Sequence, residues 1–511
     1  MFCWDGLTIC KGVRKLLKTV QSSIYWALKN YSNRRAAEVG KAYFTYSDVE
    51  KNAHRLLAML NEFEKKEFPC YILLFSERIN YLVSIISVLF NRGIFVPVDI
   101  MFPEGKIIQI IQQSHADYII SDCNYAKKLS QEVDLRLIQF KAETSCEDVG
   151  LDYNNNFNEN DPIYIYFTSG TTLKPKGVLG RNSGLQHFIE WERTKFTIHT
   201  NSRFAQLTSP SFDPFLRDLL VPLTSGGTIC FLENYSSIYE LKFLHQWIAW
   251  KKITMMHCVP SLFHILVKKI GLFCENESCL STIFLAGESA NISDIEKVFN
   301  VNGSIKLVNL YGPTETTLAK MYHIISKKDI VNGVIPLGIP ISDTRIFLLD
   351  DNNCVAKAGE ICIQSQYCSL GYVDKTLNSN KFINSPFDKN VKLYRTGDLG
   401  EINQDGRIIF CGRKDRQIKI SGTSVNLYAI EQSIIRQTNI EECCVVLCHR
   451  NNRLICYYKG DDTISEKEIN KYLAFYYQKV FIPKKYCKID EFVRNANGKI
   501  DINYYSKMTN L

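Results

Sequence analysis

Residues Tyr164 to Gly177 read YIYFTSGTTLKPKG. Four residues of strand composition (YIYF) run into Thr168, Ser169, Gly170, Thr171 and Thr172, and then into Lys174, Pro175, Lys176 and Gly177. Small hydroxyl residues and glycine let a backbone approach phosphate oxygens. Hydroxyl and amide groups donate to those oxygens, and the lysines add positive charge. The spacing GxxxxGK[ST] is absent, so this is not a P-loop of the Walker type. A strand that ends in a phosphate-suited loop belongs to an α/β architecture, and the flanking sequence agrees. Cys70–Phe75 (CYILLF) reads as a buried strand, 79–91 as a helix and 94–98 as the next strand, with further strands expected at 116–121 and 135–139. Such alternation predicts parallel sheets covered by helices on both faces.

The chain has 511 residues, about three domains' worth. Hydrophobic residues are 46% and charged residues 22%, the range of globular proteins. Lysine and arginine exceed aspartate and glutamate by 61 − 53 = 8, too thin a surplus to indicate a nucleic-acid partner. None of the 18 cysteines forms a CxxC pair. Cys443, Cys444, Cys448 and His449 sit in the apolar run CCVVLCH, which reads as a buried strand rather than a zinc site. The cysteines therefore read as reduced hydrophobes of a cytoplasmic chain. The opening residues lack the apolar core of a signal peptide, and no run of 18 apolar residues exists, so no membrane partner is expected. Residues 412–419 (GRKDRQIK) form a charged joint. They divide a large body, 1–414, from a small α+β domain, 415–511.

TSGTTLKPKG resembles the phosphate loop of the adenylate-forming superfamily. Four more stretches resemble its later signatures in order: NLYGPTETT (309–317), YRTGDL (394–399), GRKDRQIK and NGKID (497–501). FVPVD (95–99), before them, and GEICI (359–363), among them, fit minor motifs of the family, and FDPF (212–215) points to the amino-acid-activating branch of nonribosomal peptide synthetases. The resemblance implies a large α/β body with a small mobile C-terminal α+β lid. It also implies a two-step reaction. A carboxylate attacks the α-phosphorus of ATP and releases pyrophosphate, and a carrier-protein phosphopantetheine thiol then takes the acyl group.

By this resemblance Thr168 to Thr172 and Lys176 bind the ATP phosphates. Asn309 is among the ATP-binding residues, Tyr311 stacks against adenine, Asp398 takes the ribose hydroxyls and Arg413 contacts ribose or phosphate. Thr314 is assigned beside the α-phosphate, and Glu315 helps hold Mg²⁺. Lys499 enters the site as the catalytic cation, and Asp415 is the hinge. Asp213 would bind the substrate ammonium group. Pro214, Arg217, His257, Phe284, Ala286, Leu310, Leu318 and Ala319 would line the side-chain pocket.

A helix or turn cap is the plainer use for Asp213. For Arg217 and His257 two readings stay open. Two basic groups among apolar walls suit an acidic, Asp- or Glu-like substrate. Alternatively, Arg217 pairs with Asp218 and His257 is a satisfied wall residue. Leu173 replaces a glycine of the pattern, Asn182 stands where many relatives carry histidine, and residues 423–429 (TSVNLYA) fit the pattern after the hinge poorly. The thioester step therefore rests on less of the resemblance than adenylation does. The chain ends twelve residues after Lys499 and begins with Met1. A free-standing protein served by a carrier in trans is thus expected. An acyl- or aryl-CoA ligase and a nucleotide-binding pseudoenzyme are the alternatives.

Overall fold

The structure, a computed structural model, describes residues 18–63, 66–144, 151, 157–168, 175–274, 279–385, 391–420, 423–437, 440–448, 453–460, 465–477, 481–495 and 498–509. The chain forms two compact units. The first comprises residues 1–335, 339–345 and 364–394, and the second 336–338, 346–363 and 395–511. The unit that holds the small C-terminal domain thus also takes in earlier stretches of chain. The opening residues through 17, and residues 169–174 of the phosphate-suited loop, lie outside the described residues.

Two sheets organise the first unit. One has six strands in the order 136–139, 118–121, 70–74, 94–97, 162–168, 176–181. Its first five run parallel and the last closes an antiparallel hairpin with Pro162–Thr168. The other has nine strands, in the order 339–340, 321–324, 306–311, 282–286, 255–258, 203–206, 228–231, 35–39, 42–45. The apolar runs that read as buried strands are therefore strands, within two residues of their expected ends.

Side chains of a strand alternate between its faces, and each sheet uses both. Tyr71, Leu73 and Phe95 face a core shared with Phe204, Phe231 and Phe284 of the nine-stranded sheet. Ile72, Leu74 and Val96 face the helices Glu104–Ser114 and Asn124–Glu132. Ala205, Ile283 and Leu307 face the helices Leu241–Trp250, Pro260–Val267 and Ile292–Val301. Helices thus lie between the sheets and outside each of them. The helix Arg78–Phe90 (RINYLVSIISVLF) is buried along its whole length, as an apolar helix of the inner layer must be.

In the second unit the strands Ile440–Cys448, Arg453–Gly460 and Lys485–Lys488 form a sheet. The helices Leu427–Gln437 and Glu466–Tyr476 share a core with it, through Ile430, Ile434, Ile469 and Leu473. Cys443, Cys444 and Cys448 are buried in the first strand, as its apolar composition requires; His449 lies outside the described residues.

Candidate functional site

Four neighbouring strands of the nine-stranded sheet, 203–206, 255–258, 282–286 and 306–311, run parallel. Their carboxyl ends carry Asp213, His257, Phe284, Ala286, Leu310 and Tyr311, at the strand ends or in the loops that follow. This is the edge where open α/β sheets bind ligands.

Asp213 precedes the helix Pro214–Thr224, with Pro214 in its first turn, but its side chain makes no capping bond. Its carboxylate instead accepts from the Thr314 hydroxyl and the Leu318 backbone N–H. It is buried. Desolvation, reinforced by the Glu315 charge, pushes its pKa up to about 7. Among the described residues no cation bonds to it. The buried Tyr166 hydroxyl has no hydrogen-bond partner among the described residues and feels the Asp213 charge. The use of Asp213 as a helix cap is excluded. What remains is a desolvated carboxylate with neutral donors alone, suited to receive a cation.

The stretch 309–319 returns on itself. Leu318 backbone oxygen lies only 2.2 Å from where a Cβ on Gly312 would sit, so the turn requires glycine there. Thr317 and Leu318 take positive φ values of 67° and 55°. The turn buries Leu310, Leu318 and Ala319 and closes with the Lys320 N–H on the Tyr311 carbonyl, 2.8 Å. Thr314, assigned from the sequence to the α-phosphate, bonds Asp213. Glu315 is 8% exposed, and its carboxylate accepts from the Tyr372 hydroxyl at 2.6 Å. Phenolic donors leave its negative charge uncancelled. That suits a hard divalent cation that takes its other ligands from phosphates and water. Asn309 is buried in the last strand and Tyr311 is half-buried at its end.

For Arg217 the structure shows the contact of the second reading left open by the sequence, a pairing with Asp218. One turn beyond Asp213, the Arg217 side chain is 1% exposed. Its Nε donates to Glu192 at 3.1 Å, its Nη2 donates to the other Glu192 oxygen, and its Nη1 donates to Asp218 at 3.1 Å. The guanidinium lies 4.2 Å from the centre of the Phe284 ring. The counter-charge of the guanidinium is therefore supplied twice by the protein. His257 is buried, and desolvation and the Arg217 charge lower its pKa well below 6.5, so it is neutral. Its Nδ1 lies 3.3 Å from the Thr208 hydroxyl, while its Nε2 has no partner among the described residues. Arg217 thus belongs to an internal ion cluster. Sequence reading anticipated Asp218 but missed Glu192, which lies 25 residues before Arg217 on the helix Asn182–Lys195. Tyr166, Thr208 and Tyr372 were also missed, because only folding brings them here.

Thr168 and Lys176 pair across the hairpin that flanks the phosphate-suited loop. Ser169, Gly170, Thr171 and Thr172 lie outside the described residues. Asn182, at the histidine position of the pattern, is fully buried. It accepts from the Val20 N–H at 2.8 Å and donates to Gln21 at 2.6 Å. It ties the helix Val20–Asn30 to the body.

The second unit carries the remaining residues. Asp398 is paired with Arg413 across two antiparallel strands, and the guanidinium donates to it at 2.6 Å. Arg413 also donates to Asp415, at 3.0 Å, in the short turn Lys414–Arg416. Glu360 braces the approach to Asp398, accepting from Arg395 and, at 3.0 Å, from the Gly397 N–H. Lys499 follows Gly498, whose φ of 80° forms the tight turn. The Asn495 side chain accepts from the Lys499 N–H at 3.1 Å, and Arg494, paired with Glu442, donates to the Gly498 carbonyl at 3.1 Å.

Known proteins resemble this chain in sequence and in fold. Gramicidin S synthase 2 of Brevibacillus brevis is 28% identical over 467 residues, 89% of this chain and 10% of its own length. This chain therefore spans about a tenth of that relative. Zwittermicin A synthase ZmaJ of Bacillus cereus is 26% identical over 90% of this chain and 89% of its own. In structure, the four-domain nonribosomal peptide synthetase AB3403, bound to AMP and glycine, superposes with a TM-score of 0.79 at 21% identity. The match covers 95% of this chain and 36% of that one. The description AMP-binding enzyme matches residues 24–373, more than half of the chain. With the buried carboxylate, the turn 309–319 and the sheet edge all inside that match, the chain belongs to the AMP-binding enzyme family.

Proposed function

We propose that this enzyme activates an α-amino acid as its aminoacyl adenylate, releasing pyrophosphate, and then passes the acyl group to the phosphopantetheine thiol of a carrier protein acting in trans. The observation that carries this reading is Asp213. Its buried carboxylate caps nothing and meets only neutral donors. An ammonium group would complete it, and would hold the substrate carboxylate at a fixed distance from the attacked phosphorus.

Lys499 would place its ammonium between the substrate carboxylate and the phosphate oxygens, where charge shifts during the transfer. Asp398 would accept from the ribose hydroxyls and Arg413 would hold ribose or phosphate. Tyr311 and Asn309 would flank the adenine, and Thr168 to Thr172 with Lys176 the phosphates. Glu315 would hold Mg²⁺, which when bound neutralises phosphate charge. Residues 1–414 would bind ATP and amino acid. Residues 415–511 would act as a lid turning at Asp415. A cytoplasmic setting, without a membrane or nucleic-acid partner, suits this chemistry, and among the described residues no helix is long and apolar enough to cross a membrane.

Amino-acid-dependent exchange of labelled pyrophosphate into ATP tests the reading. Exchange with at least one amino acid, lost on Asp213→Ala, is expected. Exchange supported only by carboxylic acids without an amino group would decide for an acyl- or aryl-CoA ligase. ATP binding without any exchange would decide for a pseudoenzyme.

A further inference from the structure

The cluster beyond Asp213 has a definite charge. Glu192, Arg217, Asp218 and His257 are each at most 1% exposed. They come from two helices and a strand, and contact one another through Arg217 and Asp218. Asp213 and Arg217 are four residues apart, and side chains at that spacing share a helix face. Tyr166 feels the charges of both Asp213 and Asp218, so the cluster and the candidate ammonium site adjoin. An amino acid held at Asp213 would project its side chain toward this wall.

Arg217 is the only cation of the cluster, since His257 is neutral. Glu192 occupies two of its nitrogens and Asp218 a third. Phe284 covers a face of the guanidinium. An incoming carboxylate would have to displace Glu192 or Asp218 and leave a buried anion unpaired, which is costly.

We propose that Glu192 is a specificity-determining residue, which by clamping Arg217 turns a potential anion receptor into a wall with no cation left to receive an anion, so that the activated amino acid has a side chain without negative charge. This rests on the amino-acid reading above. Glu192 acts through Arg217 and is a positioning residue.

The Asp218–Thr208–His257 chain refines the wall. The Thr208 hydroxyl donates to Asp218 at 2.5 Å, so toward His257 it can only accept, and the His257 proton lies on Nδ1. The unpartnered Nε2 then presents a lone pair. A side chain with an apolar body and a hydroxyl or amide donor satisfies it.

The test is pyrophosphate exchange with a panel of neutral and acidic amino acids, on the wild-type chain and on Glu192→Gln and Glu192→Asp. Wild type should use its best neutral amino acid with kcat/KM at least tenfold above aspartate and glutamate. Glu192→Gln should raise the ratio of acidic to neutral kcat/KM at least tenfold, mainly through a lower KM for the acidic substrate. Glu192→Asp, which keeps the charge, should restore the wild-type ratio. A wild-type preference for an acidic amino acid would overturn the inference and leave the proposed function standing. So would a ratio within twofold of wild type in a cooperatively folded Glu192→Gln. Exchange with no amino acid at all would overturn the proposed function and, with it, the inference. The wild-type panel decides between an acidic and a neutral pocket even where Glu192→Gln does not fold.

Discussion

At Asp213, burial without a cation makes ligand binding pH-dependent. With its pKa raised to about 7, the group is protonated over part of the neutral range, and only the ionised form attracts an ammonium group. The kcat/KM for the amino acid should therefore rise with pH through a midpoint near 7, since this parameter reports the free enzyme. Asp213→Asn should lose that rising limb and about 10²-fold in kcat/KM, as for removal of one preorganised electrostatic contact.

Lys320, next after the pocket residue Ala319, carries a second buried charge. It is fully buried, its Nζ has no partner among the described residues, and desolvation with the nearby Arg181 charge lowers its pKa to about 8. The sign follows directly. Between about 8 and the usual 10.5 the unfolded chain holds a proton that the folded chain has released, so stability rises with pH across that window. Below it the native state bears a cost of about 3 kcal/mol, taking 1.36 kcal/mol per unit. Lys320→Met should raise the midpoint of denaturant unfolding at pH 7, and the gain should shrink toward pH 10.

Among the elements, the turn 309–319 gathers the site, and its geometry hangs on Gly312. Gly312→Ala would drive a methyl group into Leu318 and Ala319 backbone. A loss of about 1–3 kcal/mol is expected, with displacement of the Leu318 N–H that bonds Asp213. Thermal unfolding would show the first and a raised amino-acid KM the second. The strands and inner helices were legible in the sequence because each buries a continuous apolar face. CYILLF and CCVVLCH have no other use. The ion cluster was half legible. Arg217 and Asp218 are adjacent, and a pair was foreseen as an alternative. Glu192 was hidden, because a glutamate near the end of an amphipathic helix looks like a solvated residue until its neighbours are known. Asn182 is similar. Its departure from the family pattern was visible, but its bonds to Val20 and Gln21 were not.

For the whole molecule, the residues of the proposed reaction divide between two compact units, with Asp213 and Glu315 in the first and Asp398, Arg413 and Lys499 in the second. Lys499→Ala should lower exchange by about 10²–10³-fold. It should change unfolding stability by less than about 0.5 kcal/mol, because the turn is held by backbone groups and by Asn495 and Arg494. A comparable loss of stability and activity would make Lys499 a structural residue.

By itself the sequence determined the α/β class, the family, and the short motifs, because a phosphate-suited loop, a glycine-bound turn and an apolar strand are local and need only their neighbours in the chain. The tertiary structure alone decided the charge of the pocket wall. Whether a buried arginine awaits a ligand or is already answered depends on a carboxylate 25 residues away, and the free energy of a buried charge is set by what surrounds it in space.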